Sequence, residues 1–386
     1  MTLPLIESEE RQALRDVVSA LARAHGWSYF ARCIAQQRFP DELWAELSSS
    51  GFAGPNVSES DGGPGGTLTD LAVVAEEVAA AGCPLMTLVV SPAVCGPLIS
   101  EFGSQAQRAT WLKGIGDGSV RMAFALTEPE AGSNTHRIRT RLRQVAPGRW
   151  HLRGEKHFIS GVDEAAGVLV VTRVGANDET PARFGLAIVD PHAPGVQFTP
   201  VPMQVRAAER QFVVRFDDVE LTDRDLIGES GLPLAALFRG LNPERLVSAA
   251  TCIGLGRYFV ERAAGYARSR TVWAHPIGAH QGIAHPLVRA HAAVESARVL
   301  LSHTLELTEL GRETEAAANL TKLLATEAVA QALEVAIQVH GGNGLSDEYG
   351  IAHLWGLVRM YGIAPVSREM MLNHIATHDL GLPKSY

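Results

Sequence analysis

The 386-residue sequence predicts an α+β fold in which a central β domain separates two helical domains. Over residues 1–120, apolar residues recur at the three- and four-residue spacing of an amphipathic helix. Residues 121–230 hold short runs rich in Val, Phe and Ile between turns, which is typical of β-strands. Long helical patterns return over residues 231–386, so we expect three domains with these bounds.

The N-terminal helices are predicted from segments such as ERQALRDVVSALARA and LTDLAVVAEEVAAAG. The loop at 54–66, GPNVSESDGGPGG, is rich in turn-forming residues. An apolar stretch at 84–100 is interrupted by prolines and a glycine, whereas a membrane helix needs about 20 uninterrupted apolar residues. We therefore interpret it as buried helix and turn, and expect no membrane span.

The β-strands are predicted from the runs RMAFALTE, WHLRGEKHFIS, GVLVVTRV, RFGLAIVD, GVQFTPV and RQFVVRFDDVEL. The C-terminal domain opens on NPERL, where Pro243 is suited to the first position of a helix. Three long amphipathic patterns and a shorter fourth then follow. This arrangement predicts an antiparallel four-helix bundle.

Composition and charge argue against several kinds of protein. The net charge of −8 disfavours a general role on nucleic acids or acidic membranes. The four cysteines form no C-x-x-C pair and no cluster with histidines, so we expect core thiols in a reducing compartment and no metal site. The opening MTLPLIESEE lacks the basic and apolar regions of a signal peptide, and we expect a cytoplasmic protein.

Three motifs carry candidate chemistry. MAFALTEPEAGSN at 122–134 ends a strand in a loop of small and hydroxyl residues that suits a planar, acceptor-rich ring or a phosphate. GEKHFISG at 154–161 places Phe158 and Ser160 two residues apart, so a regular strand would present a ring and a hydroxyl on one face. QVHGGNGLSDEYG at 338–350 is glycine-rich after a helix, which suits a close approach to phosphate or a plain helix C-cap.

These motifs, in this order and in these elements, resemble those of the acyl-CoA dehydrogenase family over about residues 8–380. The resemblance implies a helical N-terminal domain, a barrel-like or sandwich β domain and a C-terminal four-helix bundle. It implies non-covalently bound FAD and a homotetramer or homodimer. It also implies an oxidoreductase of fatty acid metabolism that removes a proton from Cα and a hydride from Cβ of an acyl-CoA or acyl-carrier thioester. An electron-transfer flavoprotein would accept the electrons.

The resemblance also assigns site residues by position. Those expected around the flavin and the adjacent thioester within one subunit are Phe124, Leu126, Thr127, Ser133, Phe158 and Ser160, with Ser133 also touching the substrate and Ser160 near flavin N5. Those expected to reach the FAD of a neighbouring subunit are Arg270, Gln281, Gln338, Gly341 and Gly342, with Trp273 in place of the usual phenylalanine. Asn134 stands where the family usually has aspartate.

The chain departs from the family at the general base. Aligned through MYGIAPVSREM, Pro365 falls on the usual glutamate, Ala364 on the tyrosine before it, and Ser367 on a threonine that touches FAD. Proline supplies neither a carboxylate nor an N–H. A subset of the family carries its base on the helix that here opens NPERL, which makes Glu244 the candidate base and Arg245 an orienting or structural partner near the substrate. The alternative is that Glu244 is an ordinary first-turn acid.

Two further readings of the sequence stay open. The flavoprotein could catalyse an elimination, a lyase reaction or oxygen chemistry instead of dehydrogenation, or be a catalytically idle subunit that binds acyl-CoA.

A separate question concerns HRIRTRLR, in which a strand would place Arg137, Arg139, Arg141 and Arg143 on one side. That row would meet the 3′-phosphate end of CoA or a redox partner, but we favour a solvated sheet face.

Overall fold

The computed structural model describes residues 2–174, 183–232 and 241–384. Its N-terminal region is helical, and Ser8 caps the first helix by accepting a hydrogen bond from Arg11 N at 3.2 Å. The helices are α1 (Glu9–Ala35), α2 (Asp41–Ser49), α3 (Leu68–Ala80), α4 (Thr87–Val90), α5 (Gly96–Phe102) and α6 (Gln105–Asp117). A short π-helix, Ser91–Cys95, joins α4 to α5 within the buried stretch that we predicted as helix and turn.

The central region forms one sheet of eight strands, in the order β6-β7-β3-β2-β4-β5-β8, with β1 parallel to β4. In β4 the odd residues Leu169 and Val171 pack on the N-terminal helices, while the even residues Val168 and Val170 join a second cluster with Phe212 and Phe216. Strands β4 and β7, which are not neighbours in the sheet, therefore contribute side chains to the same apolar core. The strands are β1 (Met122–Ala125), β2 (Arg141–Ala146), β3 (Arg149–Ser160), β4 (Gly167–Val174), β5 (Arg183–Val189), β6 (Val196–Pro200), β7 (Gln211–Thr222) and β8 (Leu226–Leu232).

The predicted row of four arginines on one strand is wrong. Residues Thr135–Arg137 form a 3₁₀ turn, and β2 begins only at Arg141. The physical reason is the buried carboxylate of Glu128, which accepts the backbone N–H of Arg139 at 2.6 Å and of Thr140 at 2.9 Å. These bonds tie the segment to the loop after β1. Arg141 and Arg143 are exposed on β2, as on a solvated sheet face.

The C-terminal region is helical again, which confirms the predicted α+β class. Pro243 lies in the first turn of its first long helix. The helices are α7 (Asn242–Ser269), α8 (Gln281–Glu309), α9 (Glu315–His340), α10 (Trp355–Tyr361) and α11 (Arg368–His378), and a hairpin of β9 (Thr271–Val272) and β10 (His275–Pro276) follows α7. The domain boundary predicted at residue 231 adjoins residues 233–240, which lie outside the described residues.

Helix α7 lies at the centre of the molecule and sets the position of the site. Its residues Leu246, Val247 and Ile253 share one core cluster with Leu71 and Val78 of α3 and with apolar residues of α8 and α9. The four cysteines, Cys33, Cys83, Cys95 and Cys252, are buried and free, as predicted. Across the described residues, no helix combines the length and the apolar character needed to cross a membrane.

Candidate active site

A cavity of about 690 Å³ lies between the loop after β1, the end of β3, the start of α7 and the segment that joins α10 to α11. Much of its wall is apolar, with Met86, Val89 and Val94 from the N-terminal region and Trp355 and Met360 from α10. Ten residues that the sequence analysis singled out line it together: Phe124, Leu126, Thr127, Ser133, Phe158, Ser160, Glu244, Ala364, Pro365 and Ser367.

A buried ion pair holds the loop after β1 against β3. The Lys156 ammonium donates to the Leu126 carbonyl and to Glu128 Oε1, each at 2.9 Å. The backbone N–H of His157 donates to the Thr127 carbonyl at 2.9 Å. Burial lowers the pKa of Lys156 to about 8, against the opposing attraction of Glu128. The sequence analysis missed this pair, although both residues lie inside the quoted motifs.

Phe158 and Ser160 both line the cavity, but the regular strand that we predicted for them is interrupted. Between Lys156 and Ile159, β3 carries one more residue than its partner β7, which is a β-bulge. Phe158 has a positive φ of 58° there, and its side chain is 53% exposed. The alternation of side chains along a regular strand therefore does not explain why Phe158 and Ser160 both line the cavity. Gln211 Nε2 donates to Ser160 Oγ at 2.9 Å and orients that hydroxyl.

Glu244 is in the first turn of α7 and is only 1% exposed. Its Oε1 accepts hydrogen bonds from Ser248 Oγ at 2.6 Å and from Lys322 Nζ at 3.0 Å. Its Oε2 has no hydrogen-bond partner within the described part of the chain. A buried carboxylate at the cavity wall thus keeps one oxygen uncommitted.

Lys322, on α9, is fully buried and was not singled out from the sequence. Its ammonium also donates to the Ala364 carbonyl at 3.2 Å, so it joins α7 to the segment before α11. Burial lowers the pKa of Lys322, and the Glu244 carboxylate opposes that shift.

Arg245, which we predicted beside the substrate, is not among the residues that line the cavity. Its Nη1 donates to Asn242 Oδ1 at 2.7 Å, and its side chain is buried at the start of α7. Burial lowers the pKa of Arg245, against the attraction of Glu244 and Glu315. The side chain therefore has a structural setting at the helix start.

Pro365 lies on the cavity wall at the position predicted to lack the usual base. Because proline has no N–H, the only polar group of the Ala364–Pro365 peptide is the Ala364 carbonyl, which Lys322 binds. Two residues on, Ser367 caps α11 by accepting from Met370 N at 3.3 Å. This stretch therefore brings a hydroxyl to the cavity but no carboxylate.

The residues predicted to reach a neighbouring subunit lie at the other end of the bundle. There the ends of α7 and α9 meet, since Asn343 Nδ2 donates to the Tyr266 hydroxyl at 3.1 Å and the rings of Tyr266 and His340 are 4.4 Å apart. Arg270 ends α7, 26 residues after Glu244, or about 39 Å along a helix. The exposed set here is Arg270, Trp273, Gln281, Gln338, Gly341 and Gly342, and none of them lines the cavity.

A second buried acid lies close to the cavity. Glu209 Oε1 accepts the backbone N–H of Thr87 at 2.7 Å, and its Oε2 has no partner among the residues described. It lines a small void of about 20 Å³ together with Ser160, which also lines the main cavity. Burial raises the pKa of Glu209 to about 7.

The substitution Glu209→Gln should therefore stabilise the protein, relative to wild type, more at pH 8 than at pH 5. With the folded pKa raised to about 7 from the ordinary 4.5, the native state holds a proton that the unfolded state has lost. The wild-type free energy of unfolding therefore falls as the pH rises from 4.5 through about 7. The variant has no carboxyl group at this position, so it avoids about 1–3 kcal/mol of that loss. Urea unfolding at both pH values measures it, with the exposed Glu313→Gln as control. Equal effects of the two variants would contradict the assignment.

The chain matches the sequence patterns of three domains of one family. They are the acyl-CoA dehydrogenase N-terminal domain over residues 8–119, the middle domain over 123–219 and the C-terminal domain over 230–379. The chain belongs to the acyl-CoA dehydrogenase family. Membership in the family makes the protein an FAD-dependent oxidoreductase, which confirms the cofactor expected from the motifs.

Individual relatives and solved structures match this chain over nearly its whole length. Acyl-CoA dehydrogenase FadE12 of Mycobacterium tuberculosis is 46% identical over 383 residues, which cover 99% of this chain and 98% of that one. A glutaryl-coenzyme A dehydrogenase in complex with glutaryl-CoA has a TM-score of 0.93 at 23% identity, covering 99% and 98% of the two chains. An FAD complex of PigA has a TM-score of 0.90 at 21% identity, covering 98% and 100%. At these identities, the two structures show the fold alone.

The described residues fit a flavin on chemical grounds. The lining of the cavity combines the half-exposed ring of Phe158 with the hydroxyl residues Thr127, Ser133, Ser160 and Ser367. A flavin presents a planar ring edged with hydrogen-bond donors and acceptors, which stacks on a ring and binds hydroxyls. Glu244 and the apolar residues of α4 and α10 line the same cavity.

Proposed function

We propose that this acyl-CoA dehydrogenase oxidises the Cα–Cβ bond of an acyl thioester, with Glu244 as the general base. One observation carries the proposal: Glu244 is the buried carboxylate at the cavity wall with an uncommitted oxygen, and the usual position of the base holds Pro365. A base must first lie within reach of the proton that it takes, and the position of Glu244 on the cavity wall supports this role if the substrate binds in the cavity.

In this mechanism, the acyl chain lies against the apolar wall of Met86, Val89 and Met360. FAD, when bound, supplies the acceptor for the hydride from Cβ. Glu244 takes the Cα proton on Oε2, while Ser248 and Lys322 hold Oε1 in place. Because Glu244 is only 1% exposed, its carboxylate is shielded from water and its electrostatic interactions are strengthened. Pro365 contributes no N–H to the thioester carbonyl, and Ser133 is the hydroxyl residue that we assign to the substrate.

The FAD contacts within one chain are proposed for the cavity residues Phe124, Leu126, Thr127, Ser133, Phe158, Ser160 and Ser367. The Lys156–Glu128 pair supports them because it fixes the Leu126 carbonyl and the loop that carries Thr127 and Ser133.

The remaining FAD contacts are proposed to come from a second copy of the chain, in a homodimer or homotetramer. Arg270 is exposed and about 39 Å along α7 from Glu244, while Gln281 and Gly341 are exposed at the ends of α8 and α9. That span is too long for one FAD to bridge with its flavin in the cavity of the same chain. A neighbouring subunit is the arrangement that lets both groups of residues act on one cofactor.

Arg270→Ala should weaken FAD retention while leaving the helical fold intact. The change removes a guanidinium suited to binding a pyrophosphate, and it lies at an exposed helix end. FAD content after gel filtration, far-UV circular dichroism and oligomeric mass are the measurements. Arg268→Ala, an exposed arginine two residues earlier in the chain, is the control and should keep its FAD. A monomer that retains one FAD per chain would overturn the proposal.

Anaerobic mixing with a panel of acyl thioesters tests the reaction. Bleaching of the oxidised flavin band by a thioester supports dehydrogenation, and an electron-transfer flavoprotein is the proposed acceptor that restores the band. Turnover with a permanently oxidised flavin would point to elimination or lyase chemistry. A flavin that no thioester reduces, with no turnover, would overturn the proposal in favour of an idle homologue. Comparing CoA with acyl-carrier thioesters in the same panel identifies the carrier.

A further inference from the structure

We infer that Lys322 is the positioning residue of this site: its buried ammonium aims the free oxygen of Glu244 and fixes the Ala364–Pro365 wall. The inference rests on the proposed role of Glu244 as base. Lys322 lies on α9, whereas Glu244 opens α7 and Ala364 precedes α11. One side chain therefore reaches two separate walls of the cavity.

The contacts of Lys322 leave Glu244 a single reactive oxygen. Oε1 already accepts from Lys322 Nζ at 3.0 Å and from Ser248 Oγ at 2.6 Å. With Oε1 held by two donors on different helices, the carboxyl plane is fixed and Oε2 is the oxygen left without a partner within the described residues. A proton taken from the substrate then goes to Oε2. Ser248 alone, one turn along the same helix, would allow the side chain to change rotamer.

The charge of Lys322 is as important as its hydrogen bonds. Glu244 and Lys322 are 1% and 0% exposed, and an isolated carboxylate at such a depth is strongly disfavoured. The ammonium compensates that charge from the side of Oε1, away from the uncommitted oxygen. The other groups facing the pair are Arg245, which is directed to Asn242, and the buried Cys252 and Tyr361. Lys322 is the cation that hydrogen-bonds the carboxylate.

The third contact of Lys322 fixes the wall around Pro365. Its ammonium binds the Ala364 carbonyl at 3.2 Å, which is the only polar group of a peptide that has no N–H. The loop that carries Pro365 and Ser367 along the cavity is thus anchored to the same ammonium as the base. Losing the ammonium would loosen both walls together.

Lys322→Met and Lys322→Gln test the inference in the FAD-loaded oligomer. We expect the rate constant of flavin reduction at saturating thioester, per bound FAD, to fall about 10- to 100-fold, because a small displacement of a base is costly. Thr326→Val is the matched control, since the hydroxyl of this buried residue of α9 donates to the Leu323 carbonyl of its own helix, and its rate should match wild type. Deuterium exchange at the α-carbon of acetyl-CoA, which has no Cβ–H, should slow equally.

A double-variant comparison separates positioning from general support. In the Glu244→Gln background, adding Lys322→Met should change the residual rate by less than about twofold, since no base remains to be aimed. If the two substitutions lower the rate of flavin reduction by factors that multiply in the double variant, the inference is overturned. Wild-type rates for Lys322→Gln, with Glu244→Gln slow, would also overturn it and leave the proposed function standing. A fast Glu244→Gln enzyme would instead overturn the proposed function. If Lys322→Met fails to fold, Lys322→Gln, whose amide can still donate a hydrogen bond, takes its place as the test variant.

Discussion

Glu244→Gln is expected to slow flavin reduction by the best thioester about 10²–10⁴-fold, the usual contribution of a general base. Glutamine keeps the shape of the side chain, and its amide oxygen can still accept from Ser248 and Lys322. The variant should therefore fold, assemble and retain FAD. It lacks only the carboxylate oxygen that would take the Cα proton.

Anaerobic stopped-flow absorbance of the flavin measures this effect at saturating substrate. Glu295→Gln is a matched control, because Glu295 is also buried, accepts a backbone N–H through Oε2 and has an Oε1 without a partner in the described chain. It lies on α8 outside the cavity lining, and its variant should reduce flavin at the wild-type rate. If Glu244→Gln is as fast as wild type, Glu244 is an ordinary first-turn acid, and reactions other than dehydrogenation become the better reading.

The order of the three regions and ten of the residues that line the cavity could be predicted from the sequence. Periodicity distinguishes helix from strand in long segments such as α7 and β4. The motifs at 122–134 and 154–161 carry residues that line one cavity because β1 and β3 end beside it. Glu244 can be predicted as a candidate base because Pro365 leaves the usual position without a carboxylate.

The partners of Glu244 could not be predicted in the same way. Lys322 is 78 residues away from Glu244 in sequence. Nothing in the surrounding sequence, NLTKLLATEAV, indicates that this lysine is buried. Glu209 likewise becomes distinctive only when Thr87, from another domain, lies against it. Such contacts depend on how α7, α9 and the sheet pack, which one sequence does not specify.

Local rules also fail where a long-range contact outweighs them. The alternation expected through HRIRTRLR is lost because Glu128 binds the backbone of Arg139 and Thr140. The alternation through KHFIS is lost at the β-bulge that holds Phe158. The bulge at Phe158 lies on the cavity wall, where irregular backbone redirects a side chain towards the site.

The buried Lys156–Glu128 pair should be costly to break. Lys156→Met is expected to destabilise the protein by about 3–5 kcal/mol, the range for removing one partner of a buried pair. Glu128 would remain buried with its charge uncompensated, although Arg139 N and Thr140 N still donate to it. The Leu126 carbonyl would also lose its donor. The loop that carries Thr127 and Ser133 should then loosen, and FAD should be lost more readily.

Urea unfolding of the apo and FAD-bound protein measures the change, with FAD content after dilution as a second readout. Lys113→Met is the matched control, since Lys113 is exposed on α6 and the same substitution there should stay within about 0.5 kcal/mol. Adding Glu128→Gln to Lys156→Met should recover part of the loss, because the uncompensated charge is then gone. A Lys156→Met protein as stable as the Lys113→Met control would mean that the backbone N–H donors alone satisfy Glu128. The loop would then be held by the His157–Thr127 bond, without the ion pair.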